Sequence, residues 1–574
     1  MRLQHSAISA DMDPQLQWAA SREPGQEVGV LALVDDADGF RALDGVTVET
    51  VIDDVEGRSL VIGKIRAGRV EAVRGAPGVH ALKLARPVGP NLYATVPDLG
   101  AGALLGEGPA HGGKGVLVGI IDYGMDIAHR DFLRPDGSTR VSVLWDQRAE
   151  ALPGGGLPYG RRHSARDIDL ALSQPDPYTA LGYDPGKPGM HGTHVCGIAA
   201  GNGGGSAWRG VAPEADLGFV HLMSEELGEP SFFGDQGHLL AAAQFLFEEA
   251  GDRPCVINIS LGTNGGPHDG SSLVEKGLDA LVAQRPNRAV VLSAGNAFAA
   301  GVHAQGKVTK TSPADVTWRV PLGPPTAEPW FSELEIWYAG HDAFLAEIIA
   351  PDGGIVGRVE PGRSMVWPSQ DRPQVLVAHR ADDSMNHDNV IDVFVDSHAP
   401  RGSWTVRLRG LEVRDGTYHA WIEREDDAQA SFPLPRDNSR TLGSIACGRL
   451  TIAVGAYDAT LPGSPLAPFS AAGPTRDGRQ RPEISAHGVN VVAPRSGTTV
   501  GMICYSGTSM ATPAVTGVVA LMLAEALSHG LALEAPVLRR LLFDAARGDG
   551  WDPRYGFGRA NALDAVLAVR KLIP

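Results

Sequence analysis

The chain has 574 residues, 43% of them hydrophobic and 20% charged, which excludes a disordered protein and allows several globular domains. A net charge of −17 argues against a broad nucleic-acid surface, and basic clusters such as Arg161-Arg162-His163 are short enough to be solvated faces. The four cysteines, Cys196, Cys255, Cys447 and Cys504, stand too far apart for a zinc site or a dense disulfide framework and read as buried free thiols. The segment from Met1 to Ala20 holds no apolar h-region, and no run reaches the ~18 apolar residues of a membrane span. The expectation is a cytoplasmic protein with no membrane or nucleic-acid partner, leaderless export being the alternative.

Residues 1–27 read as an N-terminal tail. Residues 28–88 look like a small α+β unit. Strands are predicted at 28–34, 46–52 and 59–65, a short amphipathic helix over 67–74, and a closing strand at 79–84. Residues 89–114 carry Pro and Gly and read as a linker. Gly115 to Ile121 is a continuous apolar run, the pattern of a strand buried on both faces of a parallel sheet. It ends at Asp122-Tyr123-Gly124-Met125-Asp126. Functional groups in α/β sheets gather at the carboxyl ends of strands, so Asp122 is a candidate site residue; a turn aspartate reads equally well from this segment alone. Asp126 and Asp131 read as structural.

The next segment is HGTHVCGIAAG at 191–201, whose density of small residues predicts a closely packed helix with His191 at its exposed start. His191 and His194 have the spacing of a metal pair, but no nearby carboxylate completes a familiar zinc site. His191 therefore reads as a base and His194 as a hydrogen-bonded structural histidine. GVAPEADL leads into a strand through His221, and a helix follows near 237–249. Cys255 to Ile259 reads as a buried strand ending in Ser260-Leu261-Gly262. A helix over 272–283 precedes the strand Ala289 to Ser293, which ends in Ala294-Gly295-Asn296. The Asn296 amide is a candidate donor to a developing oxyanion.

Residues 312–436 change texture. Leu334, Ile336 and Tyr338 alternate with Glu333, Glu335 and Trp337, and Trp404, Val406 and Leu408 alternate with Thr405, Arg407 and Arg409. Turn residues such as Pro351-Asp352-Gly353-Gly354 separate these runs, which predicts an antiparallel sandwich or jelly roll. Asn386-His387-Asp388-Asn389 reads as a polar loop. Finally Tyr505 to Gly517 leads into the apolar run Val518 to Leu523. This predicts a buried helix opening near Thr508 or Ser509, with Thr508 as its N-cap and Pro513 early enough to do little harm. A serine in that first turn sits where unpartnered backbone N–H groups can hold an oxyanion, the place for an acyl-transfer nucleophile. A Ser/Thr cap on a core helix is the plainer alternative.

Asp122, His191 and Ser509 follow one of the convergent chain orders of a catalytic triad. GIIDYGMD, HGTHVCGIAAG, GVAPEADL, INISLG, SAGN and SGTSMATPAVTG, with FSAAGPTRDGRQRPEIS and GFGRANALDAV, resemble the subtilase (subtilisin-like serine peptidase) family over about 115–300 and 440–570. Residues 28–88 resemble its inhibitory propeptide, and the insertion resembles that of spore-germination subtilases. The resemblance implies an α/β fold, a subtilisin-like parallel sheet flanked by helices at 115–311 and 437–574. To it would be added a propeptide-like domain and an inserted β-sandwich. It implies Ser509 as nucleophile, His191 as base and Asp122 as its orienting acid, with Asn296 and the Ser509 N–H as oxyanion hole. It further implies that Ser260, Leu261, Gly262, Ala294 and Gly295 bind substrate, and that the N-terminal domain is an intramolecular inhibitor. No organic cofactor is expected. A structural Ca2+ is an open expectation: Asp131 fits one family position by spacing, but the loop Asn202 to Ser206 offers few carboxylates. His487 stands where the family usually has proline, read as a local loop change. The function expected is an autoprocessed serine endopeptidase of restricted specificity, with a quiescent, pseudoprotease-like binding protein as the alternative.

Overall fold

A computed structural model describes residues 25, 27–55, 57–84, 92–105, 109–151, 157–223, 235–321, 331–368, 373–425, 429–434 and 436–573. The expected N-terminal tail lies almost wholly outside the described residues, as do 89–91 and 106–108 of the expected linker. The chain forms two compact units, residues 1–89 and 90–574.

The smaller unit is a four-stranded antiparallel sheet of β1 (Glu27–Val34), β2 (Val46–Val55), β3 (Arg58–Arg66) and β4 (Val79–Leu84), in the order β2-β3-β1-β4. Val30, Ala32 and Val34 alternate inward on β1 and pack with Phe40, Val61, Ile65, Val70 and Val73 into a core of their own. Two short helices, α1 (Ala37–Arg41) and α2 (Val70–Arg74), carry Phe40, Val70 and Val73 into it. Helix α1 is absent from the sequence reading because it is shorter than two turns. Its cue is Asp36, whose carboxylate caps the N–H groups of Asp38 and Gly39 at 3.0 and 3.1 Å.

The larger unit does not begin with a tether. Helix α3 (Leu92–Asp98) and two 3-10 turns occupy residues expected as linker. Leu99, Ala101, Leu104 and Ala110 are fully buried, and the Ala110 N–H donates to Glu525 Oε2 at 2.7 Å. Gly and Pro here punctuate tight turns, while the apolar residues between them find the core.

That core surrounds an eight-stranded sheet. Its strands are β5 (Leu117–Asp122), β6 (Val141–Asp146), β7 (Arg161–Ser164), β8 (Asp216–His221), β9 (Cys255–Ile259), β10 (Arg288–Ser293), and two that return after the insertion, Ile452–Tyr457 and Ile484–His487. All pair in parallel except the edge strand β7. β5 lies between β8 and β9, where the strand order reverses direction, so Asp122 ends the strand at the switch point. Val118 and Ile120 face one helical layer, α4 (His191–Ala200) with α7 (Thr508–Ser528). Leu117 and Ile121 face the other, α5 (Asp235–Ala250) with α6 (Leu273–Ala283). Helix α7 is long and apolar enough to cross a membrane, but it is buried along nearly its whole length inside this unit.

The insertion is an antiparallel sandwich. One sheet contains β11 (His303–Lys307), β13 (Phe331–Tyr338), β16 (Arg363–Pro368), β17 (Pro373–Arg380), β18 (Asn389–Asp396) and β20 (Thr417–Ile422). The other contains β12 (Ala314–Val320), β14 (Ala343–Ile349), β15 (Ile355–Val359) and β19 (Gly402–Glu412). Trp318, Trp404, Phe344, Leu334 and Ile336 fill the space between. It begins before the expected residue 312: β11, the polar stretch HAQGK, already pairs with β20. Polar edge strands without an apolar face give no periodic signal.

Candidate active site

Asp122, at the end of β5, is fully buried. Its Oδ1 accepts from the Tyr123 N–H at 2.7 Å, and both oxygens face His191 Nδ1 at 2.8 and 2.9 Å. His191 is the first residue of α4, with about a third of its side chain exposed. Burial and, more weakly, Arg424 pull its pKa down, but Asp122 outweighs them, so the ring stands above the ordinary 6.5. An imidazole whose Nδ1–H is held by a carboxylate presents Nε2 as the free base.

Ser509 is the second residue of α7. The N-cap is Gly507, not the expected Thr508, because Thr508 has entered the helix and its hydroxyl donates elsewhere. The Thr508 N–H and hydroxyl both donate to Asn296 Oδ1, at 2.9 and 3.1 Å. A backbone N–H can only donate, so the carboxamide oxygen is committed to Thr508, and Nδ2 is the donor end of a side chain that lines the cleft. The Ser509 N–H, one of the four at the helix start without an intrahelical acceptor, completes a pair of donors.

The Ser509 hydroxyl donates to the Ser260 carbonyl at 3.1 Å, and the Ser260 hydroxyl donates back to the Ser509 carbonyl at 3.0 Å. Pro513 explains the second bond. It lies four residues beyond Ser509, past the first turn where proline is harmless, and supplies no N–H to that carbonyl. Ser260 replaces the missing donor. It is itself held by Asn258 Nδ2 at 3.0 Å, and Asn258 Oδ1 accepts from Thr516 at 3.1 Å. The spacing of Ser509 and Pro513 was the available signal for this network.

A cleft of about 610 Å3 is lined by His191, Ser260, Leu261, Gly262, Asn296 and Ser509, among others. A second cavity of about 260 Å3, sharing Ser260 to Gly262, Asn296 and Ser509, adds Gly295. Gly295 has φ of +105°, a conformation that favours glycine. Ala294 lines neither cavity. It is fully buried with Leu442, Cys447 and Ala471, and its N–H and C=O are bonded to Val454 and Gly443. Arg424, from the end of the insertion, lines both cavities and is invisible to motif reading.

Other candidates resolve as structure. His194 is fully buried, bonded through Nε2 to the Val491 carbonyl at 2.9 Å, and burial takes its pKa down to about 3. Asp126 accepts from the Ala128 and Gly497 N–H groups. His487 is not in a loop: it ends the strand Ile484–His487, and its Nδ1 accepts from the Ala459 N–H at 3.1 Å, a bond proline could not accept. Cys504 is exposed on a two-stranded hairpin, against the expectation of burial, whereas Cys196, Cys255 and Cys447 are buried. Asp131 does not suit a cation. Its oxygens accept from the Gly205 and Ser206 N–H groups and the Ser206 hydroxyl at 2.7, 2.9 and 2.6 Å, so donors, rather than further oxygens, surround it.

A family model described as the subtilase family matches residues 113–320 and 426–558, leaving out 321–425, which hold the rest of the sandwich after β11 and β12. The subtilisin-like protease PopC of Myxococcus xanthus (strain DK1622) is 34% identical over 155 residues, 26% of this chain and 25% of that protein. The serine protease AprX of Bacillus subtilis (strain 168) is 34% identical over 149 residues, 22% of this chain and 32% of that protein. The chain thus spans only a quarter to a third of the length of these relatives. The solved structure of the Clostridium perfringens CspB protease superposes with a TM-score of 0.70 at 24% identity, covering 84% of this chain and 98% of that one, a likeness of fold.

Proposed function

The chain belongs to the subtilase family, and from that premise we propose that it is a serine endopeptidase acting through an acyl-enzyme on Asp122, His191 and Ser509. The observation that carries this reading is the buried Asp122 carboxylate on His191 Nδ1 at 2.8 and 2.9 Å, in one cleft with Ser509 and Asn296. Ser509 Oγ attacks the scissile carbonyl as His191 Nε2 takes its proton. Asn296 Nδ2 and the Ser509 N–H receive the oxyanion, and His191 returns the proton to the leaving amine. Water then repeats the sequence on the ester. Before attack the Ser509 hydroxyl must leave the Ser260 carbonyl, a single rotation about its side-chain bond. The substrate backbone lies as an added strand along Ser260 to Gly262. A quiescent state is the second reading, favoured by that Ser509–Ser260 bond. A fluorophosphonate probe decides between them: labelling of wild type at Ser509 is expected, and none would leave the quiescent reading standing. Profiling of a peptide library then tests restricted specificity.

The N-terminal unit extends the proposal. It has its own core, as an independently folding inhibitor would, and its attachment in the same chain gives an effective concentration on the order of millimolar. We expect wild type to cut itself between residues 84 and 112, Ser509→Ala to stay full length, and a 1–90 fragment to inhibit in trans. N-terminal sequencing and an inhibition titration check this; an intact, fully active wild type would make the unit an ordinary accessory domain.

A further inference from the structure

The segment Ser260 to Gly262, which follows β9 and lines the cleft, runs directly into the loop Thr263 to Gly266, and that loop is gripped by the inserted sandwich. The Asn264 and Gly265 N–H groups donate to Glu423 Oε1 and Oε2 at 2.8 and 3.0 Å, and the Thr263 hydroxyl also donates to Glu423. The Gly266 N–H donates to Glu335 Oε2 at 3.0 Å. Glu335 lies on β13 and Glu423 follows β20, strands that pair, so both carboxylates project from one sheet face. They flank Gly265 so closely that a Cβ there would lie 2.7 Å from Glu423 Oε2 and 2.8 Å from Glu335 Oε1. The loop carbonyls are bound as well: Thr263 O by the Ser444 N–H at 2.9 Å, and Asn264 O by His268 Nε2 at 2.7 Å. His268 in turn stacks on Trp421 of β20 at 4.1 Å.

We propose that Glu335 and Glu423 are positioning residues through which the insertion fixes residues 263–266, and with them the substrate-binding edge Ser260-Leu261-Gly262. The inference rests on the peptidase reading above. Two carboxyl groups that accept consecutive backbone N–H groups set the path of a loop more tightly than apolar packing, because each bond is directional. An edge strand that receives a peptide by backbone pairing must keep its N–H and C=O groups in register, so freedom in the loop appears as weaker binding of extended substrates. Neither carboxylate lines the cleft. A small probe that reacts at Ser509 without pairing along the edge is therefore indifferent to them.

The test uses the full chain with Glu423→Ala, Glu423→Gln and Glu335→Gln. For Glu423→Ala, KM for an extended peptide should rise about tenfold with kcat within about twofold. Glu423→Gln, which keeps one acceptor oxygen, should recover part of the loss. Hydrogen exchange at amides 264–266 should quicken in Glu423→Ala while helix α7 stays protected, and fluorophosphonate labelling of Ser509 should keep its wild-type rate. Unchanged KM with normal labelling, or unchanged exchange at 264–266, overturns the inference and leaves the peptidase reading intact. If wild-type Ser509 resists the probe, the peptidase reading falls instead, and exchange at 264–266 alone decides the clamp: faster exchange supports it and unchanged exchange refutes it.

Discussion

The α/β body and the inserted sandwich both bury acids, and they do so in opposite surroundings. Asp122 in the body meets an N–H and an imidazole, and Asp131 meets two N–H groups and a hydroxyl. In the sandwich, Glu333, Glu335 and Asp392 bring their oxygens within 4.8 Å of one another, and Arg380 lies on Asp392 at 2.9 Å. Burial first, then the neighbouring carboxylates, raises Glu333 to about 9 and Glu335 to about 8. A carboxylate among donors can orient a base. One among carboxylates holds its proton through neutrality, and can still accept a backbone N–H as Glu335 does. The same functional group thus holds an imidazole in one region and a loop in the other.

The comparison breaks first at Ser509. Ser509→Ala should remove roughly 10⁶ of kcat, the scale of losing a triad member, while the melting temperature and the sandwich stay as they are. Peptide hydrolysis and calorimetry measure this; substantial residual turnover would place the nucleophile elsewhere. Asn296→Ala should lower kcat about 10²–10³-fold with little change in KM, the range for one oxyanion donor. An effect confined to KM would make Asn296 a substrate ligand.

Trp404→Ala sharpens the contrast from the other side. Trp404 is fully buried between the sheets, with Nε1 donating to the Pro400 carbonyl at 2.8 Å. Its loss should destabilise the sandwich by about 3–5 kcal/mol, seen as faster exchange in β12, β14 and β19, and leave probe labelling of Ser509 intact. Lost labelling would mean that the body depends on the sandwich as a whole.

The smallest effect is in pH, and the two regions should respond with opposite signs. Activity should rise as His191 loses its proton, with a midpoint above 6.5 because Asp122 stabilises the charged ring. Glu333 and Glu335 are raised above their ordinary 4.5, so between about 4.5 and 8–9 the folded sandwich binds more protons than the unfolded chain. Its stability therefore falls as pH rises through that window. Melting curves at pH 5, 7 and 9 should show the decline, and Glu333→Gln or Glu335→Gln should flatten it. An unaltered slope in both variants would show that these carboxyls titrate normally.

Much of the body was legible because its signals are local. Strands buried on both faces of a parallel sheet have to be continuous apolar runs, so Leu117–Asp122 and Cys255–Ile259 could be read directly, with Asp122 and Ser260 at their ends. The alternation of Leu334, Ile336 and Tyr338 marked a sandwich strand for the same reason. Short or polar elements were not legible: α1, α3, β11 and the 3-10 turns at 101–104 and 109–113 have too few residues to display a period. Only the tertiary structure could decide what meets across long separations. It joined Asn296 to Thr508, turned the Ser509 hydroxyl to Ser260, removed Ala294 from the cleft, and laid Glu335 and Glu423 on the loop after Gly262. Periodicity reports which face of an element is buried. It carries no information on which buried donor finds which acceptor, because that depends on the packing of elements that are distant in the chain.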